Sequence, residues 1–165
     1  MSTRHDPIPA ADFELGLGTG SMRGLTCREA VTEALSIGYR HIDTARLYEN
    51  EAAIGEAVAS SSVNLDEVFL ATKIHSKRLR PDDLRAAVAA SRKQLGVELL
   101  DLVYVHWPAH TYDPEATLNA LADLQDEGRL EYIGLSNFTP ALVREADDVV
   151  PGRISAVQAE CHPYH

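Results

Sequence analysis

The sequence predicts an α/β fold in which strands and helices alternate around a parallel sheet. Three observations carry this. Apolar runs begin near residues 39, 68, 100, 130 and 154, a spacing of about thirty residues, the length of one strand–helix unit. The runs are near-continuous rather than alternating, as expected for strands covered on both faces. Amphipathic helical patterns fill the intervals. No Pro/Gly/Ser-rich linker interrupts the series, so residues 1–165 are expected to form a single domain of six strands and five helices.

Taken in order, a weaker strand signal lies in "FELGLG" (13–18). A helix follows over 26–37, where Thr26 and Glu29 have capping-box spacing and Ala30, Val31, Ala34 and Leu35 share one face. "YRHID" (39–43) reads as the second strand, and a helix fits 51–59. "VFLATK" (68–73) is the third strand. The helix over 81–95 opens with Pro81 at a first-turn position and buries Leu84, Ala87, Val88, Ser91 and Leu95. "LDLVYVH" (100–106) precedes a helix over 115–127 with Leu118, Leu121 and Leu124 inward. "LEYIGLS" (130–136) leads to a short helix after Thr139-Pro140 that carries Leu142 and Val143. "ISAVQAE" (154–160) is the sixth strand. Gly38, Gly96 and Gly128 each follow a helix, where a left-handed residue ends the spiral.

Two architectures share this alternation: a doubly wound sheet and a (β/α)8 barrel. "GLGTGS" (16–21), with Asp43 some way downstream, approaches the dinucleotide fingerprint of the first. Ser21 stands where its third glycine belongs, and Asp43 sits within a larger polar cluster, so this match is weak.

Composition narrows the function classes. The formal net charge is -10, from 25 acidic and 15 basic residues, which argues against a nucleic-acid partner. Apolar residues make up 45%, which excludes a disordered composition. Cys27 and Cys161 have neither metal spacing nor a CxxC pattern, and fit a reducing compartment. "MSTRHDPIPAADFELG" has no apolar signal core, and no stretch approaches the ~18 apolar residues of a membrane span. A cytoplasmic location is expected, with no membrane partner.

The polar residues share a pattern. Asp43, Lys73, His106 and Ser136-Asn137 fall at the ends of successive predicted strands, and Gln158 and Glu160 lie in the sixth. Barrel enzymes place their chemistry at this end. Tyr48 follows Asp43 in the next loop and overhangs the same rim. A phenol with its ordinary pKa near 10 is a poor acid at pH 7. A neighbouring lysine would lower that value, and an aspartate would hold the lysine charged and oriented. A neutral histidine beside them would donate to a carbonyl oxygen. Ser136, Asn137 and Gln158 are suited to holding a carboxamide. A hydride donor, borrowed from a nicotinamide cofactor, would complete carbonyl reduction. Taken singly, each residue has a bland explanation as a cap, a snorkelling surface cation or a polar core group; the combination at consecutive strand ends is what points to chemistry. The first strand has no HxH, and no metal is expected.

Five segments carry a family resemblance: "GYRHIDTARLYENEAAIGEAV" (38–58), "LATKI" (70–74), "DLVYVHWP" (101–108), "IGLSNF" (133–138) and "VQAECHP" (157–163). In order and spacing they resemble the aldo-keto reductases, particularly the prokaryotic branch acting on small aldehydes, diketones and keto sugars. The resemblance implies a partial (β/α)8 TIM barrel of about six βα strands, with the last two units beyond the sequence. It implies an oxidoreductase that reduces a small aldehyde or ketone with hydride from NADP(H) or NAD(H). Tyr48 becomes the general acid, Asp43 and Lys73 its tuning pair, and His106 the carbonyl orienter. Asp43 and Thr44 are expected at the ribose–nicotinamide, and Ser136, Asn137 and Gln158 at the carboxamide. Trp107 joins His106 in the substrate pocket, while Met22 and the "GTGS" loop flank the cofactor, with Gly20 where the family often has an aromatic. In this family the cofactor's phosphates bind after strands seven and eight, past His165. An inactive truncated fragment, or a non-catalytic module that self-associates or binds a partner chain through open barrel edges, remains the alternative.

Overall fold

The computed structural model of the chain describes residues 15–164. Six strands form one sheet in the order β1 (Gly16–Gly18), β2 (His41–Asp43), β3 (Phe69–Ile74), β4 (Leu100–Val105), β5 (Leu130–Ser136) and β6 (Ile154–Gln158). Every neighbouring pair is parallel. The connecting helices are α1 (Gly24–Ser36), α2 (Glu51–Ser60), α3 (Pro81–Leu95), α4 (Pro114–Asp126) and α5 (Pro140–Val149). Of the first predicted strand, Phe13 and Glu14 lie outside the described residues.

The strand order decides between the two architectures. A doubly wound sheet starts in its middle and reverses direction. Here each strand is added beside the previous one, as in a barrel wall. The sheet curls until Gln158 of β6 donates from Nε2 to Oδ2 of Asp43 in β2, at 2.9 Å. The fold is six strands of a (β/α) barrel, a curled half-barrel.

Alternation along each strand divides the side chains between two layers. Phe69, Ala71, Leu102 and Tyr104 pack together on the concave face, with Tyr132 and Ala156 against them. Leu70, Ile74, Val103, Val105, Ile133 and Leu135 face outward into a larger core completed by the helices. Leu118 and Leu121 of α4 are fully buried there, each worth about 1.5–3 kcal/mol of burial. Gly134 makes the concave layer possible. A Cβ at this position would lie 2.4 Å from Cδ1 of Tyr104, its register partner on β4. At the β6 edge the outward Val157 remains 52% exposed.

Helix ends largely follow their sequence signals. Proline opens α3, α4 and α5, the Asp113 carboxylate accepts from Ala116 N, and the Thr139 hydroxyl accepts from Leu142 N. Gly38, Gly96 and Gly128 adopt φ of 108°, 74° and 67°. The Thr26/Glu29 capping box does not form. Gly24, at φ 50°, turns the chain into α1 two residues earlier, and Arg23 stands at the N-cap with no side-chain cap. Thr26 therefore falls inside the first turn. The sixth strand also stops early, at Gln158, so Glu160 lies beyond it and contacts His162.

Candidate active site

Inward parity brings the polar residues to one mouth. Asp43, Lys73, Ser136 and Gln158 occupy concave-facing positions at or next to the ends of their strands. His106 lies one residue past β4, in phase with the inward Leu102 and Tyr104. Tyr48 ends a single 3-10 turn, Arg46–Tyr48, in the loop after β2.

At the centre of the mouth is a buried ion pair. Lys73 Nζ donates to Asp43 Oδ1 and, at 3.0 Å, to the Thr44 carbonyl. The side chains are 3% and 16% exposed. Burial pulls the Lys73 pKa below its ordinary value, and the Asp43 carboxylate opposes that pull. Nζ lies 5.5 Å from the centre of the Tyr48 ring. The His106 ring meets that ring edge-on, with centroids 5.9 Å apart. Burial, reinforced by Lys73 and His75, lowers His106 to about 4, so the imidazole is neutral at pH 7. Its Nδ1 is buried without a hydrogen-bond partner.

The Tyr48 phenol departs from the sequence-based expectation. Its pKa is raised, first by burial and then by the Asp43 carboxylate. Tyr48 is accordingly a protonated donor at neutral pH.

Across the mouth the amide-bearing residues form their own network. Asn137 Nδ2 donates to the His106 carbonyl and to Ser136 Oγ, both at 3.0 Å. Both amide hydrogens are spent, which leaves Oδ1 as an acceptor. Ser136 Oγ donates to Gln158 Oε1 at 3.4 Å. The backbone of Asn137, at φ 64°, donates to the Gln158 carbonyl. One hydroxyl, two carboxamides and the Asp43 carboxylate thus line one side of the mouth, a donor and acceptor set that fits a nicotinamide carboxamide.

The Thr44 side chain does not reach the mouth. Its hydroxyl is buried and donates to Asn50 Oδ1 at 2.6 Å, so only its carbonyl contributes, to Lys73. Met22 packs against the outer core, and its carbonyl accepts from Asn50. Gly20 does flank Tyr48: a Cβ there would meet the phenol ring at 3.5 Å, an ordinary contact. Trp107 stands 51% exposed beside His106.

Sequence reasoning missed the framework beneath Tyr48. Asn50, Glu51 and Thr72 are buried polar residues that bind the loop to its surroundings. "NEAA" reads as an ordinary solvent-facing helix start, and nothing local distinguishes it. Tyr104, inward on β4, was also missed as a neighbour of Lys73, 6.0 Å from Nζ. Its pKa is pushed up to about 12, chiefly by burial.

A family model described as the aldo/keto reductase family matches residues 14–165. The chain belongs to the aldo/keto reductase family. Among its relatives, an aldo-keto reductase of Mycolicibacterium smegmatis is 40% identical over 154 residues, covering 91% of this chain and 55% of that protein. Methylglyoxal reductase DkgB of Salmonella typhi is 37% identical over 160 residues, covering 95% of this chain and 58% of the relative. The crystal structure of an aldo/keto reductase from Brucella melitensis superposes with a TM-score of 0.84 at 33% identity, over 90% of this chain and 57% of that one. This aldo/keto reductase chain therefore spans little more than half the length of the relatives it matches.

Proposed function

We propose that this chain carries the catalytic half of a reductase that converts a small aldehyde or ketone to its alcohol, with Tyr48 as general acid and Asp43, Lys73 and His106 as its partners. The observation that carries the reading is the buried Lys73–Asp43 pair under the Tyr48 ring, with neutral His106 beside it. A nicotinamide cofactor, NADP(H) or NAD(H), supplies the hydride when bound. Ser136, Asn137 and Gln158 would hold its carboxamide, with Asp43 at the adjoining ribose.

The chain's own residues account for the proton. The protonated phenol donates to the carbonyl oxygen as negative charge develops there. Lys73 stabilises the phenolate left behind, and Asp43 keeps the ammonium charged and aimed. His106 aligns the substrate. With Nδ1 buried and unpartnered, the tautomer protonated at Nε2 leaves no buried N–H orphaned and directs one donor at the oxygen. Trp107 offers an apolar wall. A site in the cytoplasm, and residues 1–165 as a single barrel-type domain, belong to the same reading.

Replacing Tyr48 by Phe removes the acid and leaves the ring, so turnover is lost while the far-UV spectrum is kept; undiminished turnover rejects the assigned role. Exposed Val157 at the β6 edge, Leu25 on α1 and Ile37 just past its end favour a second reading, in which the open edges bind another polypeptide or a second copy without catalysis. NADPH fluorescence titration separates the two. Micromolar binding supports the reductase, and no binding up to millimolar cofactor supports the interaction module.

A further inference from the structure

We propose that Glu51 is a positioning residue, whose buried carboxylate ties the Tyr48 loop to β3 and so sets where the phenol stands relative to Lys73. The inference rests on the reading of Tyr48 as the general acid.

Glu51 opens α2 yet is only 1% exposed. Its two oxygens reach two different elements. Oε1 accepts from Thr72 Oγ1 on β3 at 2.8 Å, and Oε2 accepts from Arg46 Nη1 at 2.8 Å. Thr72 immediately precedes Lys73. Arg46 begins the turn that Tyr48 ends. Strand alternation points Thr72 outward and Lys73 into the mouth, so the carboxylate grips from behind the strand that presents the lysine.

The two ends of this tie differ in rigidity. β3 is held by β2 on one side and β4 on the other. Among the described residues, the backbone bonds of the turn over 46–48 are local, Tyr48 N to Ala45 O and Glu49 N to Arg46 O. Its placement depends on side chains. Thr44 and Asn50 close its base, Asn50 anchors that base to the Thr19 and Met22 carbonyls, and Glu51 fastens it to β3. Gln94 of α3 also accepts from Arg46, at 3.2 Å. A carboxylate is costly to bury unless its charge and lone pairs are met. Displacing the turn would separate Arg46 from Glu51, so the burial itself resists displacement.

The test follows the Tyr48 phenol directly, by pH titration of 13Cζ-tyrosine resonances, with the Tyr48 signal identified from its loss in Tyr48→Phe. In the unaltered chain the midpoint lies above the free-tyrosine value near 10, through burial and Asp43. Glu51→Leu and Thr72→Val should each loosen the turn and bring the midpoint down toward 10 while the far-UV spectrum is retained. Glu51→Gln should restore the high value, since its amide can offer oxygen to Arg46 and nitrogen to Thr72. An unmoved midpoint in folded Glu51→Leu overturns the proposal. If Glu51→Leu does not fold, near-isosteric Thr72→Val, which keeps the Arg46–Glu51 pair, decides in the same way. Retained turnover in Tyr48→Phe would refute the role of the acid without altering this titration.

Discussion

His106 makes the chain's stability depend on pH in a way that can be isolated. Its folded-state pKa is about 4 against an ordinary 6.5, because burial and the Lys73 and His75 charges disfavour the imidazolium. Between these values the unfolded chain takes up a proton that the folded chain refuses. The contribution of His106 is therefore fully present above pH 6.5 and is lost as the pH falls through that window. Each pH unit of separation is worth about 1.36 kcal/mol, so between pH 7 and pH 4 the loss is about 3 kcal/mol. The residue is 7% exposed, so little solvent screening reduces this figure. Carboxylates also titrate in this range, and a His106→Gln variant subtracts them. Urea unfolding of both chains at pH 7 and pH 4 gives the two stability differences. The unaltered chain should lose about 3 kcal/mol more than the variant on acidification. An equal loss in both would mean that His106 titrates normally, and the argument for a neutral, buried carbonyl orienter would fail.

Two further perturbations probe the mouth and its support. Lys73→Met removes one partner of a buried pair and should cost about 3 kcal/mol, the low end for such a loss, because Asp43 keeps Gln158 and some water. Chemical denaturation of the single and double variants with Asp43→Leu should give a double-variant loss well below the sum of the singles, and simple additivity would argue against a coupled pair. Gly134→Ala drives a methyl into the Tyr104 ring and should cost roughly 1–3 kcal/mol by thermal unfolding. Adding Tyr104→Leu should recover most of it; no recovery would place the strain elsewhere.

Most of the architecture and of the mouth could be read in advance, for a simple physical reason. Strands buried on both faces, glycine helix ends and a thirty-residue rhythm are local consequences of sequence, and they located the six strands and five helices. Their places at the ends of successive strands put Asp43, Lys73, His106 and Ser136 at one rim, with Gln158 in the sixth strand, without knowledge of any contact. Three matters needed the folded chain. The order of strands in the sheet, which separates a barrel wall from a doubly wound sheet, is set by long-range pairing. The direction of the Tyr48 pKa depends on how deeply the phenol is buried and on the Asp43 carboxylate beside it. The withdrawal of Thr44 into the loop and the burial of Glu51 against Thr72 and Arg46 join residues from different elements. Local periodicity assigns a side chain to a face, but which partner meets it there, and with how much water, is decided only when the layers pack.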